Sequence, residues 1–183
     1  MTTSATILEA TRQAMTGLAP ERLSMSAVAR AAGVSRPTLY RWFPTKEDLL
    51  AAVAAYEEEQ FTAGLREVID LHPLPAERLD AALRYLVTYL ESSAFPEPIG
   101  DHPAFALRWL AEGMPRQIDT FGDLLGDALD TIPAVAAGEV SRREATELLL
   151  RLAYSHFLIP HSDSEAFLEA IHGLAGVRPP NAP

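Results

Sequence analysis

The stretch GVSRPTLYRWFPTKEDLL, residues 33–50, gathers Arg36, Arg41 and Lys46 around Tyr40, Trp42 and Phe43. Fixed cations beside flat, partly polar rings suit a surface that meets phosphate oxygens and the edges of base pairs. Arg36 offers a guanidinium fork that fits guanine O6 and N7, a match worth about 1–3 kcal/mol against a wrong base. Pro37 presets a helical φ at a position whose N–H is not needed, and its ring suits a thymine methyl. Thr38 can meet a base or a phosphate, while Tyr40 and Arg41 reach phosphates on either side. Lys46 begins the next helix, where a cation opposes the helix dipole. A phosphate held between Lys46 and the free amides of that helix end removes the conflict. The bland alternatives are solvated arginines and core aromatics. Phe43 reads as core, and Trp42 fits either packing behind the helix or the phosphate backbone.

These groups need a rigid mount, and the preceding residues have the types for a helix-turn-helix. Ala29 is small where the first helix touches the second. Gly33, four residues on, supplies the left-handed turn that a Cβ resists. Val28, Val34 and Leu39 then anchor the pair. Ser24 caps a helix over residues 25–31, and Ser35 caps a third that stops at Phe43-Pro44. Before them, Ile7, Leu8, Ala10, Ala14 and Met15 form a first helix ending at Gly17. Thr45 opens a long fourth helix reaching about Leu71, with TKED placing carboxylates in its first turn.

Apolar spacing predicts helix through the remainder. A fifth helix starts near Pro75 and carries Leu79, Leu83, Leu86, Val87 and Leu90. The Pro-rich AFPEPIGDHPAF leads into a short sixth around Trp109, and Pro115 starts a seventh. Ser141 caps an eighth to about Ile159, and Ser162 or Asp163 starts a ninth to Leu174. No alternating strand pattern occurs, so the fold class is all-α with about nine helices. The domains expected are 1–47, a helix-turn-helix unit; 48–176, a helical body; and 177–183, a disordered tail.

Composition narrows the chemistry. The chain carries a formal net charge of −10, yet residues 1–50 hold six basic and four acidic side chains, a net of +2. The other 133 residues hold nine and twenty-one, a net of −12. A polyanion meets attraction in the first part and repulsion in the rest. There is no cysteine, so thiol catalysis, disulfides and cysteine-ligated zinc are excluded. His72, His102, His156, His161 and His172 form no metal-binding spacing, and no nucleotide-binding glycine loop or serine elbow is present. We expect no metal, no cofactor and no enzyme activity. The opening MTTSATILEATRQAM has no signal-peptide pattern, and the longest apolar run, LLAAVAAY, is too short to span a bilayer. The expectation is a soluble cytoplasmic protein with no membrane partner.

ILEATRQAM followed by SMSAVARAAGVSRPTLYRWFPTKEDLL resembles the N-terminal domain of the TetR family of bacterial transcriptional regulators, over residues 7 to about 50. AGVSRPTLYRWFPTKEDLL follows that family's G-V-S-x-x-x-L-Y-x-x-F-x-x-K-x-x-L run without a gap. Trp42 stands where the family often has His or Tyr, and Met15 where an aromatic is common. The resemblance implies a three-helix DNA-binding domain ahead of an effector-binding and dimerisation domain. It puts Arg36, Pro37, Thr38, Tyr40 and Arg41 on the major-groove side, with Ser24, Ser35, Trp42 and Lys46 on phosphates. It further implies a homodimer on a palindromic operator in double-stranded DNA, with repression as the family's usual output.

The body is compatible with that plan. The eighth and ninth helices are apolar over more than one face, so they need a second surface to cover. The resemblance implies a four-helix bundle between two protomers, with Leu148, Leu149, Leu152, Phe157, Phe167, Ile171 and Leu174 at the interface; the alternative is a helix central to the monomer's own core. Helices four to seven then enclose an effector pocket lined by Phe61, Tyr85, Tyr89, Phe105, Trp109, Met114 and Phe121, with His102 in a loop over it. Such a lining suits a mostly apolar small molecule. The alternative is a dimeric helical module for protein interaction or DNA binding without ligand control.

Overall fold

The structure, a computed structural model, describes residues 3–15, 23–92, 103–159 and 163–177, without the side chains of residues 103–106, 108 and 109. Among the described residues it is all-α: α1 (Thr3–Met15), α2 (Met25–Ala31), α3 (Arg36–Trp42), α4 (Lys46–Asp70), α5 (Pro75–Ser92), α6 (Pro103–Leu125), α7 (Pro133–Ala136), α8 (Arg142–Leu158) and α9 (Ser164–Ala175). The chain divides into two compact units, and the division falls inside α4, after Phe61.

The first unit is built on one apolar cluster. Ile7 and Met15 of α1, Val28 and Ala29 of α2, Leu39 of α3, and Leu49 and Val53 of α4 are buried together with Leu23 and Phe43. Val34 packs against the edge of this cluster. The caps follow local chemistry. The Ser24 hydroxyl accepts from the Ala27 amide at 3.1 Å, and Ser35 accepts from Thr38 at 3.2 Å. Thr45 and Asp48 cap α4 reciprocally: the Asp48 amide donates to Thr45 Oγ1 at 3.0 Å, and the Thr45 amide donates to Asp48 Oδ2 at 3.0 Å. Arg12 of α1 holds Glu9 through two hydrogen bonds and stands 3.6 Å from the buried Glu57 of α4.

In the second unit α5 turns Leu79, Ala82, Leu83, Leu86, Val87 and Leu90 inward and packs on α8, α9 and a 3-10 segment, Gly126–Thr131. An ionic chain ties α5 to α9. His172 is buried with Nε2 at 3.2 Å from Asp80 Oδ1, without hydrogen-bond alignment. Asp80 also accepts from Arg84 Nε at 3.1 Å, and Arg84 donates to both oxygens of Glu165 at 2.6 and 2.7 Å. Ser141 and Glu144 form a capping box on α8, and Asp163 caps α9 by accepting from Ala166 at 2.9 Å.

Three expectations change. The sixth and seventh helices are one: α6 runs through Pro115. A proline inside a helix removes one backbone hydrogen bond, at a cost of about 3 kcal/mol. Here Leu110, Ile118, Phe121 and Leu125 keep one buried stripe across it, and that burial holds the helix together. The residues after Leu125 wind as a 3-10 segment and the short α7 rather than extending the helix. Val177, read as the start of a loose tail, is instead buried, and its amide donates to His172 O at 2.9 Å. Residues 178–183 lie outside the described residues.

Gly33 joins α2 to α3 at φ +66, and a Cβ placed there would meet nothing within 4 Å. Its requirement is therefore conformational alone. Gly33→Ala lowers the unfolding free energy by about 1–2 kcal/mol, and Gly33→Asn lowers it less, as read by urea denaturation.

Candidate nucleic-acid interface

Seven residues make a helix too short to persist alone, so α3 depends on its ends and its inner face. Ser35 closes one end. At the other, the Phe43 amide donates to Leu39 O at 2.8 Å. Leu39 is fully buried, which locks the rotation of α3 about its axis. At about 100° per residue, Arg36, Pro37, Tyr40 and Arg41 then share one arc of about 140°, centred about 130° from Leu39. All four are exposed, Tyr40 by 40%.

Thr38 is half-buried, and its hydroxyl lies 2.8 Å from Ser35 Oγ. The Ser35–Thr38 pair therefore keeps one proton for its own bond and one to offer outward. Ser24 is exposed at the start of α2. Trp42 is 46% exposed, on the opposite flank of α3 from Tyr40, whereas Phe43 is buried at 7% as core. Lys46 is the first residue of α4 and half-buried. The Asp48 carboxylate already occupies part of that helix end, so the amides offered to a phosphate are shared with a resident anion.

Charge distinguishes this surface. Among the described residues Arg36 and Arg41, and Arg30 at the end of α2, make no ion pair. In the second unit Arg78, Arg84, Arg142, Arg143 and Arg151 are matched to Asp127, Glu165, Asp130, Asp119 and Glu147. Arg30 escaped the sequence reading; its signal there was only a basic residue in the last turn of a short helix.

The described residues expected in the pocket have different surroundings. Phe121 is fully buried as core. Tyr85 and Tyr89 meet as a ring pair 5.8 Å apart. Phe61 is half-buried and belongs to the first unit. His102 and the side chains of Phe105 and Trp109 lie outside the described residues. Met114 lines an open groove of about 670 Å³ between α6 and α8, with Leu107, Leu110, Ile118, Tyr154 and Leu158 on its walls and Arg143, Glu147 and Arg151 along one edge. Tyr154 is buried and donates to Gln117 Oε1 at 2.5 Å. Nothing in the spacing pairs residues 117 and 154; only the packing of α6 on α8 does.

Of the expected interface residues, Leu148, Leu152 and Leu174 are exposed by 57, 37 and 82%. Leu149 and Ile171 turn instead into the protomer's own core. Phe157 is half-buried, and Phe167 stacks on His156 with ring centroids 4.1 Å apart. Among the described residues no cluster of His, Asp or Glu could hold a metal, and no helix is long and apolar enough to cross a membrane.

An amino-terminal helix-turn-helix with exposed arginines on α3, in a chain that is all-helical among its described residues, is the arrangement of a class of DNA-binding proteins. Residues 7–53 match the model for "Bacterial regulatory proteins, tetR family", and this amino-terminal segment belongs to that family's helix-turn-helix domains. It is 31% identical over 131 residues to an uncharacterized HTH-type transcriptional regulator, Rv1255c, of Mycobacterium tuberculosis H37Rv. That match covers 72% of this chain and 58% of the relative, so it spans little more than half of the relative's length. The fold matches the TetR-family repressor AlkX of Dietzia sp. DQ12-45-1b, implicated in biodegradation of n-alkanes, with TM-score 0.61, 23% identity and 94% of each chain covered. It also matches a cysteine-substituted variant of the TetR-family regulator CifR complexed with 26-bp double-strand operator DNA. There the TM-score is 0.60 and the identity 21%, over 93% of this chain and 95% of that one.

Burial raises the Tyr154 hydroxyl pKa above the usual tyrosine range, and the bond to Gln117 only partly opposes it. The fold thus favours the neutral phenol. Its contribution to stability is complete below the unfolded pKa of about 10 and is lost as pH rises beyond it. Denaturation midpoints measured from pH 8 to 11 fall over the upper part of that range, and Tyr154→Phe falls less steeply.

Proposed function

We propose that the protein is a homodimeric transcriptional repressor that binds a palindromic operator through α3 and leaves it when a mostly apolar small molecule binds the helical body. The observation that carries the reading is the outward arc of Arg36, Pro37, Tyr40 and Arg41 on a helix whose rotation is locked. Arg36 reads a base, Arg41 and Tyr40 grip phosphates, and Pro37 meets a thymine methyl. Ser24, Ser35, Trp42 and Lys46 hold the phosphates at the edges, and Thr38 works through its shared hydroxyl. One α3 spans too few base pairs for specificity, so two copies reach two half-sites.

The exposed Leu148, Leu152 and Leu174 are the residues we assign to the partner, with Phe157 and Phe167 beside them. Leu149 and Ile171 support that face from within. Effector binding against α4, α5 and α6 displaces α4, and α4 begins three residues after the C-cap of α3. Operator and effector then oppose each other by one coupling free energy, typically about 1–3 kcal/mol. The n-alkane association of AlkX supports an apolar effector class, and the operator complex of CifR supports duplex DNA as the partner. Such a regulator acts in the cytoplasm, beside the DNA it controls.

Selection of duplexes from a random library enriches a palindrome, and Arg36→Ala relaxes one position in each half-site at a cost of about 1–3 kcal/mol. Binding that enriches no sequence and weakens steeply with salt would reduce the interface to phosphate contacts. In sedimentation velocity the wild type runs as a dimer and Leu148→Glu/Leu152→Glu as a folded monomer; a monomeric wild type overturns the dimer assignment.

A further inference from the structure

α4 is a single helix that carries Leu49 and Val53 into the first core and Gly64 into the second unit. At about 1.5 Å per residue, Gly64 lies about 27 Å along the helix from Lys46. A Cβ placed on Gly64 would stand 2.2 Å from the Tyr85 hydroxyl oxygen, 2.8 Å from Cζ and 3.1 Å from Cε2. The phenol of Tyr85 therefore rests directly on the α4 backbone, and only glycine leaves room for it. Glycine in a helix interior sacrifices about 1 kcal/mol relative to alanine, so the seat is held against propensity.

The ring on that seat is braced from α5. Tyr89, one turn on, meets it at 5.8 Å and 38°. The leucine stripe of α5 is buried, and Asp80 and Arg84 tie the same helix to α9. Burial raises the Tyr85 hydroxyl pKa, and the charge of Glu67, one turn after Gly64, raises it further. Both effects favour the neutral phenol against the α4 backbone.

We propose that the Tyr85–Gly64 seat sets the position of α4 and is the contact through which changes at the α5 tyrosine pair reach α3. Tyr85 is a positioning residue for DNA reading, not a contact to DNA. The proposal rests on the regulator reading above and adds the contact that transmits it. A packed contact of this kind has a size optimum, since filling the seat and emptying it both displace α4, while an exchange of volume across it restores the spacing.

The test uses the full chain and the duplex that the wild type selects, with affinity measured by fluorescence anisotropy at fixed salt. Gly64→Ala and Tyr85→Leu each weaken binding at least fivefold, and Gly64→Ala/Tyr85→Leu returns to within twofold of wild type. Tyr85→Phe, which keeps the ring, stays within twofold. Losses that simply add in the double variant, or single variants that bind as wild type while dimeric and folded by circular dichroism, overturn the proposal. Should Gly64→Ala fail to fold, Tyr85→Leu against Tyr85→Phe decides it by the same criterion. A wild type that selects no duplex overturns the regulator reading itself, an outcome distinct from a tight wild-type complex that ignores the seat.

Discussion

The burial of Leu39 against Val28 and Ala29 is the contact on which the reading surface depends. A helix of seven residues has no stability of its own, because nucleation costs more than two turns of hydrogen bonds return. Leu39 supplies the missing free energy and at the same time fixes which way α3 faces. Small residues matter as much as large ones here. Ala29 permits close approach, and Gly33 turns the chain without a steric cost. Caps at Ser35 and Phe43 then leave little freedom at either end. The outward arc of Arg36, Pro37, Tyr40 and Arg41 is thus a consequence of what lies beneath it.

Charge is distributed with a similar economy. Residues 51–183 carry a net of −12, and Arg78, Arg84, Arg142, Arg143 and Arg151 there are committed to carboxylates. Those pairs are largely exposed, and each contributes little to stability, but together they commit five arginines of the second unit to carboxylates. The helix-turn-helix keeps Arg30, Arg36 and Arg41 without ion pairs. A polyanion approaching such a chain is repelled by most of it and attracted by one small face, so that orientation is imposed before contact.

The second unit solves a different problem. α8 and α9 carry apolar residues on more than one face, and the structure divides them. Leu149, Leu150, Ala153, Tyr154 and Ile171 face inward, while Leu148, Leu152 and Leu174 remain outside. Tyr154 shows how a polar group enters such a core: Gln117 satisfies the hydroxyl, which otherwise would cost about 1–3 kcal/mol as a buried unpaired group. Arg84, held by Asp80 on α5, reaches Glu165 and joins α5 to α9.

Much of this was legible in the residues alone, wherever neighbours in sequence decide the outcome. Ser24, Ser35, Thr45, Ser141 and Asp163 each cap the helix that follows, because a cap needs only a side chain and the amides two or three residues on. The helix-turn-helix is similar, since its contacts span fewer than twenty residues with fixed spacing. Tertiary structure decided the remainder. Pro115 lies inside α6 because burial across the chain outweighs a local backbone penalty. Leu149 and Leu148 are adjacent and equally apolar, yet one is core and the other surface. Val177 is anchored by His172 rather than frayed, and Gly64 is a seat only because Tyr85 arrives over it. Periodicity states that a helix has an apolar face, but which partner covers that face is fixed by contacts between residues far apart in the chain.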